Sequence, residues 1–414
     1  MIKSITIHPD EDSTLILSGG AEALDQWMSG LVERELLPFA MTVISCPEGI
    51  CYWRWCGLVN PHEEIPPAPD TLLRMYSMTK PVTTVTALIL EDQGLLDLNA
   101  PVEQHLPELA DWTVLRHPES ELDDVIRLDS GPTLIQLLTH TSGISYGDAE
   151  GSLLDQELAR RMFENPSLTG LLNTLSELPL VFNPGAAWRY GFGHDLAGIA
   201  LMRATGKNLG QLFDEMVFQP LGMQDTGFEV SGSRLQQLAM LYSTGENQQL
   251  TEITQEPPLG PHLGNSGGST AGDDWGGAGL VSTPADWLKF VDLLRAAHSG
   301  KETAVASPEV VRRMATNQLE GDIAALLPEG PEGFREWMPF EGLGMGLGVW
   351  VAEDTNRLDW DSNPGEFGWG GVANTVFWID PIADAAVLFF TQVMPSSRLG
   401  LRNDLHRLVA QCLR

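Results

Sequence analysis

The chain has 414 residues, of which 56 are acidic and 24 basic, giving a formal charge of −32. A surface of that sign repels nucleic acid and anionic membranes, and both are excluded as partners. With 43% hydrophobic residues the chain can bury a large core, and its length suits two lobes sharing a cleft. The acidic excess reads as solubility, with adaptation to high salt as the alternative that counterion screening allows.

The first ten residues hold one lysine and no apolar run resembling a signal-peptide core. No stretch elsewhere approaches the roughly 18 apolar residues of a membrane span, so a cytoplasmic protein is expected. Apolar positions at helical spacing predict a helix over 21–37, and aromatic and β-branched runs predict strands over 39–45 and 50–59. Pro47-Glu48-Gly49 supplies the turn of an antiparallel hairpin. Cys46, Cys51 and Cys56 cluster there, with Cys412 near the far end; their spacing fits no zinc pattern, and buried free thiols are expected. Neither metal nor cofactor is indicated.

Residues 77–93 read as a helix ended by Gly94. Short helices follow at 133–139, 151–163, 194–205 and 208–218, then a glycine-rich crossing over 265–279 and a helix over 284–298 opened by Pro284. Strand-like runs at 343–352, 373–379 and 385–392 precede an amphipathic helix over 397–413. The predicted class is α+β: an antiparallel sheet built from N- and C-terminal strands and flanked by helices, with a mainly helical lobe inserted. The lobes are expected at 21–94 with 275–414, and at 95–274, behind an N-terminal extension over 1–20.

Ser77-Met78-Thr79-Lys80 places a hydroxyl and an amine three residues apart at a helix start, close enough to hydrogen-bond. Serine becomes nucleophilic when a base removes its proton, and an amine serves only when neutral. Holding a lysine neutral near pH 7 costs about 4.6 kcal/mol, which desolvation and a nearby cation can supply. With 24 serines and five lysines, about one such sequence in four holds Ser-x-x-Lys by chance. Alone, the tetrapeptide reads as a capping serine and an exposed lysine.

Its context changes that reading. The run Thr71-Leu72-Leu73-Arg74-Met75-Tyr76-Ser77-Met78-Thr79-Lys80-Pro81-Val82 resembles the nucleophile region of class C β-lactamase-like serine hydrolases, above all the family VIII carboxylesterases. Four further segments resemble that family in the same order: Leu137-Leu138-Thr139-His140-Thr141-Ser142-Gly143; Asn183-Pro184-Gly185 continuing to Trp188-Arg189-Tyr190; Gly276-Gly277-Ala278-Gly279-Leu280-Val281-Ser282-Thr283-Pro284; and Gly368-Trp369-Gly370-Gly371. The resemblance covers about residues 21–412 and implies a β-lactamase/DD-peptidase-like fold. It implies Ser77 as nucleophile, Lys80 as its base and Tyr190 as the group sharing the proton work. Trp369, Gly370 and Gly371 would line the cleft on a strand, and the N–H of Val372 would join that of Ser77 in an oxyanion hole.

Two departures bear on substrate. Where β-lactamases carry the asparagine of Tyr-x-Asn this chain has Phe192, and where their third motif begins with lysine it has Trp369. Both exchange polar recognition for apolar surface, favouring neutral esters over β-lactams or peptides. The expected activity is hydrolysis of short or medium acyl esters. Acyl transfer to an alcohol, β-lactam or D-amino peptide hydrolysis, and non-catalytic acyl binding stand as alternatives. Gly264-Asn265-Ser266-Gly267-Gly268 also satisfies Gly-x-Ser-x-Gly, with His298 and His406 downstream. Its proline- and glycine-rich surroundings offer neither the strand nor the helix a nucleophile elbow needs, so a loop is the better account. His140 and His194 read as structural.

Overall fold

The computed structural model describes residues 20–149, 151–229, 232–253, 273–327 and 340–413. Helix α1 (Gly20–Glu33) buries Leu24, Met28, Leu31 and Val32, one face at spacings of three and four. Strands β1 (Phe39–Cys46) and β2 (Gly49–Gly57) form the expected hairpin. The tip differs from expectation. Cys46 and Cys51 are joined in a disulfide with Cα atoms 6.4 Å apart, because the tight turn and the register shift after Ile44 bring them together. Cys56 and Cys412 are free and buried.

Helix α2 (Thr79–Asp92) is buried from Thr79 to Leu88, and Lys80 is the one charged side chain in that stretch. Gly94, at φ +71°, ends it: the Leu95 N–H donates to the Leu90 carbonyl at 2.9 Å. Helices α3 (Leu134–Leu138), α4 (Leu153–Glu164), α5 (Leu168–Glu177), α6 (Gly193–Thr205) and α7 (Leu209–Phe213) follow. Thr133, Ser152, Ser167 and Asn208 cap α3, α4, α5 and α7 with their side chains. Helix α8 (Pro284–His298) has the expected bounds, with Thr283 as its cap.

The run over 343–352 is two strands, not one. β3 (Leu343–Met345) and β4 (Trp350–Ala352) are separated by a turn in which Gly348 adopts φ +68° and the Gly346 N–H reaches the Val349 carbonyl at 2.8 Å. Then come β5 (Phe367–Gly370), β6 (Val376–Asp380), β7 (Ala385–Phe390) and helix α9 (Leu401–Leu413). The seven strands form one antiparallel sheet in the order β2-β1-β7-β6-β5-β4-β3. The two ends of the chain meet at β1–β7, from Met41↔Phe390 to Ser45↔Ala386.

Alternation along β1 explains why both faces are covered. Thr42 reaches Met28 of α1, while Ser45 on the opposite face donates to Asp292 of α8. α1 and α9 pack together on the first face. Among the described residues no helix is long and apolar enough to cross a membrane.

Glu366, buried just before β5, accepts the Ser362 hydroxyl at 2.6 Å and the Asn363 N–H at 3.0 Å. Burial nonetheless pushes its carboxyl up to about 7. A carboxyl raised by folding stabilises the native state at low pH, and that contribution fades as pH climbs from about 4 through 7. Glu366→Gln is therefore expected to gain a few degrees of Tm on the wild type at pH 8 and little at pH 5. Calorimetry at both values checks this, and equal differences at the two would contradict it.

Candidate active site

The turn carrying Ser77 is fastened before it begins. Leu73–Arg74 pairs antiparallel with Val281–Ser282, and the Met75 N–H donates to the Leu280 carbonyl at 2.9 Å. Tyr76 then takes φ +48°, unfavourable for a side chain of its size, and a 3₁₀ turn over Tyr76–Met78 runs into α2. Pro81 is tolerated at the third helical position, where its missing N–H has no intrahelical partner to lose.

One helical turn separates Ser77 from Lys80, and the amine folds back toward it. Lys80 Nζ lies 3.2 Å from Ser77 Oγ, 3.0 Å from the Tyr146 hydroxyl and 2.7 Å from the Gly277 carbonyl. The Tyr190 hydroxyl sits 2.9 Å from Ser77 Oγ, and the Tyr190 ring lies 4.7 Å from Lys80 Nζ. The three side chains named from sequence are thus brought together. A neutral amine there can donate to the carbonyl while accepting the serine proton.

Tyr146 is the member that sequence reasoning missed. It stands three residues beyond the His140-Thr141-Ser142-Gly143 segment, and only that adjacency could have flagged it. Burial first, then Tyr190 and Asp195, hold its phenol well above the usual range, so it stays protonated. One carboxylate steadies both tyrosine-bearing loops. Asp155 of α4 accepts from Ser145 and from the Gly147 N–H at 3.1 Å, on either side of Tyr146. Its other oxygen accepts from Arg189, the neighbour of Tyr190, at 2.6 Å, and this ion pair is buried.

Ser77 opens onto a cleft whose walls include Trp188, Ile323, Phe340, Trp350 and Trp369. Asp148 and Arg402 are the charged side chains among its described lining. Gly370, Gly371 and Val372 follow Trp369 along the same wall. A Cβ on Gly371 would stand 2.7 Å from the Met75 carbonyl, so glycine is what lets this strand end approach the nucleophile turn.

Phe192 departs from expectation. It is 1% exposed, packs edge-on to Tyr146 at 4.6 Å and is absent from the described cleft lining. As the N-cap of α6 it points into the protein and supports Tyr146 from behind. His140 and His194 are buried 4.9 Å apart, and burial together with nearby positive charge keeps both well below the usual histidine range. His140 packs at 4.5 Å from the Tyr190 ring as a neutral support. His298 and His406 pack on Phe367 and Trp378. The Gly264–Gly268 motif lies outside the described residues, as does most of the glycine-rich crossing.

Tyr146→Phe is expected to lower kcat on an activated ester about tenfold, with KM little changed. Asp155→Ala, which leaves Arg189 buried without its partner, is expected to cost about 3 kcal/mol of stability. Steady-state kinetics and denaturant titration measure the two effects.

Residues 24–411 match the Beta-lactamase family model. Protein Rv1367c of Mycobacterium tuberculosis (strain ATCC 25618 / H37Rv) is 32% identical over 366 residues, 87% of each chain. Monacolin J acid methylbutanoyltransferase of Aspergillus terreus (strain NIH 2624 / FGSC A1156) is 30% identical over 353 residues, 80% of this chain and 79% of that one. Esterase EstB of Burkholderia gladioli is 28% identical over 392 residues, 90% of each. The structure of EstCE1, a hydrolase with promiscuous acyltransferase activity, shares the fold with a TM-score of 0.77 at 22% identity, covering 96% of this chain and 98% of the other. Together the matched span and the shared fold place the chain in the Beta-lactamase family, among serine hydrolases with esterase and acyltransferase relatives.

Proposed function

We propose that the protein is a serine carboxylesterase of the family VIII type, acting on short or medium acyl esters through an acyl-enzyme on Ser77. The observation that carries this reading is one oxygen, Ser77 Oγ, within hydrogen-bond reach of both the Lys80 amine and the Tyr190 phenol at the floor of an apolar cleft. Lys80 takes the serine proton as Oγ bonds to the ester carbonyl carbon. The N–H groups of Ser77 and Val372 receive the developing oxyanion. When the intermediate collapses, the ester C–O bond breaks and the alkoxide leaves with a proton relayed through Tyr190. Water then attacks the acyl-enzyme, giving up a proton to the same pair, and the carboxylic acid departs as Ser77 is restored.

The walls support neutral esters as substrates. Trp369 stands where β-lactamases carry a lysine, and Trp188, Phe340 and Ile323 extend the same apolar surface. A β-lactam or D-amino peptide would lose its usual polar anchors here. A second reading, transfer of the acyl group to an acceptor alcohol, is favoured by the methylbutanoyltransferase relative at 30% identity. It uses the same acyl-enzyme, with the alcohol taking the place of water.

Assays with p-nitrophenyl butyrate, with and without added alcohols, and with nitrocefin test these readings. Ester turnover is expected to exceed nitrocefin turnover, and Ser77→Ala to fall about a thousandfold or more on the ester. Product ester formed faster than acid in dilute alcohol would assign transfer. Undiminished turnover by Ser77→Ala would end both.

A further inference from the structure

Asp195, the third residue of α6, is buried, and the acylation steps above do not use it. Its Oδ1 accepts the Gly277 N–H at 2.8 Å, and its Oδ2 is buried with no hydrogen-bond donor among the described residues. Gly277 in turn offers its carbonyl to Lys80 Nζ at 2.7 Å. Next to it, the Gly276 carbonyl accepts the Thr83 hydroxyl at 2.6 Å. The 276–277 segment is therefore wedged between α2 and α6, and its lack of side chains permits this. A Cβ on Gly276 would lie 2.1 Å from the His194 carbonyl, and one on Gly277 would lie 2.6 Å from Asp195 Oδ2. A single residue separates a buried carboxylate from the amine.

The groups sharing this interior are Lys80 and Thr83 from α2, Tyr146 from the loop after α3, His194 beside Asp195 on α6, and Tyr190 and His140 beyond them. The two histidines are held neutral and Tyr146 stays protonated. Burial pushes the Asp195 carboxyl up to about 6, with Lys80 and the Gly277 N–H pulling the other way. Above that pH a negative charge faces the amine, and in a low-dielectric interior such attraction is strong and mutual.

We propose that Asp195 is a positioning residue: it fixes the Gly277 carbonyl against Lys80, and its charge sets the pH above which the amine accepts the Ser77 proton. The proposal rests on the Ser77–Lys80 reading given above. Ionised Asp195 favours the ammonium form of Lys80, so it moves the acid limb of reactivity upward. Removing the charge moves that limb down.

The test is the rate of Ser77 labelling by a fluorophosphonate between pH 5 and 10, with adducts mapped by mass spectrometry. Asp195→Asn keeps an oxygen for the Gly277 N–H and loses the charge. Its acid limb is expected to fall by about half a pH unit or more, making it about threefold faster than wild type at pH 6. Asp195→Ser is also neutral but too short to reach Gly277, so the same shift is expected with a plateau about tenfold lower. An unmoved limb in whichever variant folds overturns the proposal, and failure of both to fold makes Asp195 a folding residue and overturns it equally. A wild-type protein unlabelled at Ser77 would contradict the reading of the site instead.

Discussion

The amine of Lys80 is entirely shielded from solvent, and the site is arranged around that fact. Among the described residues its hydrogen-bond partners are a hydroxyl, a phenol and a backbone carbonyl. None is an anion, so nothing in direct contact neutralises an ammonium there. Taking such a charge from water is expensive unless it is closely compensated. This surroundings suits an amine that cycles between charge states while a neighbouring oxygen loses and regains a proton.

Holding one atom against three partners requires contributions from distant parts of the chain. A 3₁₀ turn that follows the Leu73–Arg74 pairing with Val281–Ser282 supplies Ser77, and α2, which it enters, supplies Lys80. Tyr146 comes from 66 residues after Lys80, Tyr190 from 113 after Ser77, and the Gly277 carbonyl from 197 after Lys80. Close backbone approach at 276–277 and at Gly371 lets these pieces meet without intervening side chains. Behind them, Asp155 braces both tyrosine loops with one carboxylate. The sheet, in which β1 pairs with β7, provides the wall from which Trp369 and Gly371 face the nucleophile turn.

Much of this was legible in the residues alone. Period and capping signals locate α2, α6 and α8 to within about two residues, aromatic and β-branched runs locate β1 and β2, and a strand-like run locates β7. Ser77, Lys80 and Tyr190 could be named because five motif-like segments occur in one order. Other features escaped for physical reasons. Periodicity reports which face of an element is buried, but not which atoms from separate elements converge, so Tyr146 and Asp195 passed unnoticed. The resemblance to Tyr-x-Asn puts Phe192 at a substrate-contacting position, yet the start of α6 turns it inward beneath Tyr146. Gly346 and Gly348 break an otherwise strand-like run, and the disulfide depends on a hairpin register that spacing alone does not specify.

In the proposed mechanism Ser77, activated by Lys80, is the nucleophile of this chain. Incubating the protein with a fluorophosphonate and mapping the modified peptide tests it most directly. A single adduct on the peptide containing Ser77, formed at least a hundred times more slowly when Lys80 is replaced by alanine, is the predicted result. An adduct on Ser266, or labelling of Ser77 at an unchanged rate without the lysine, would contradict it.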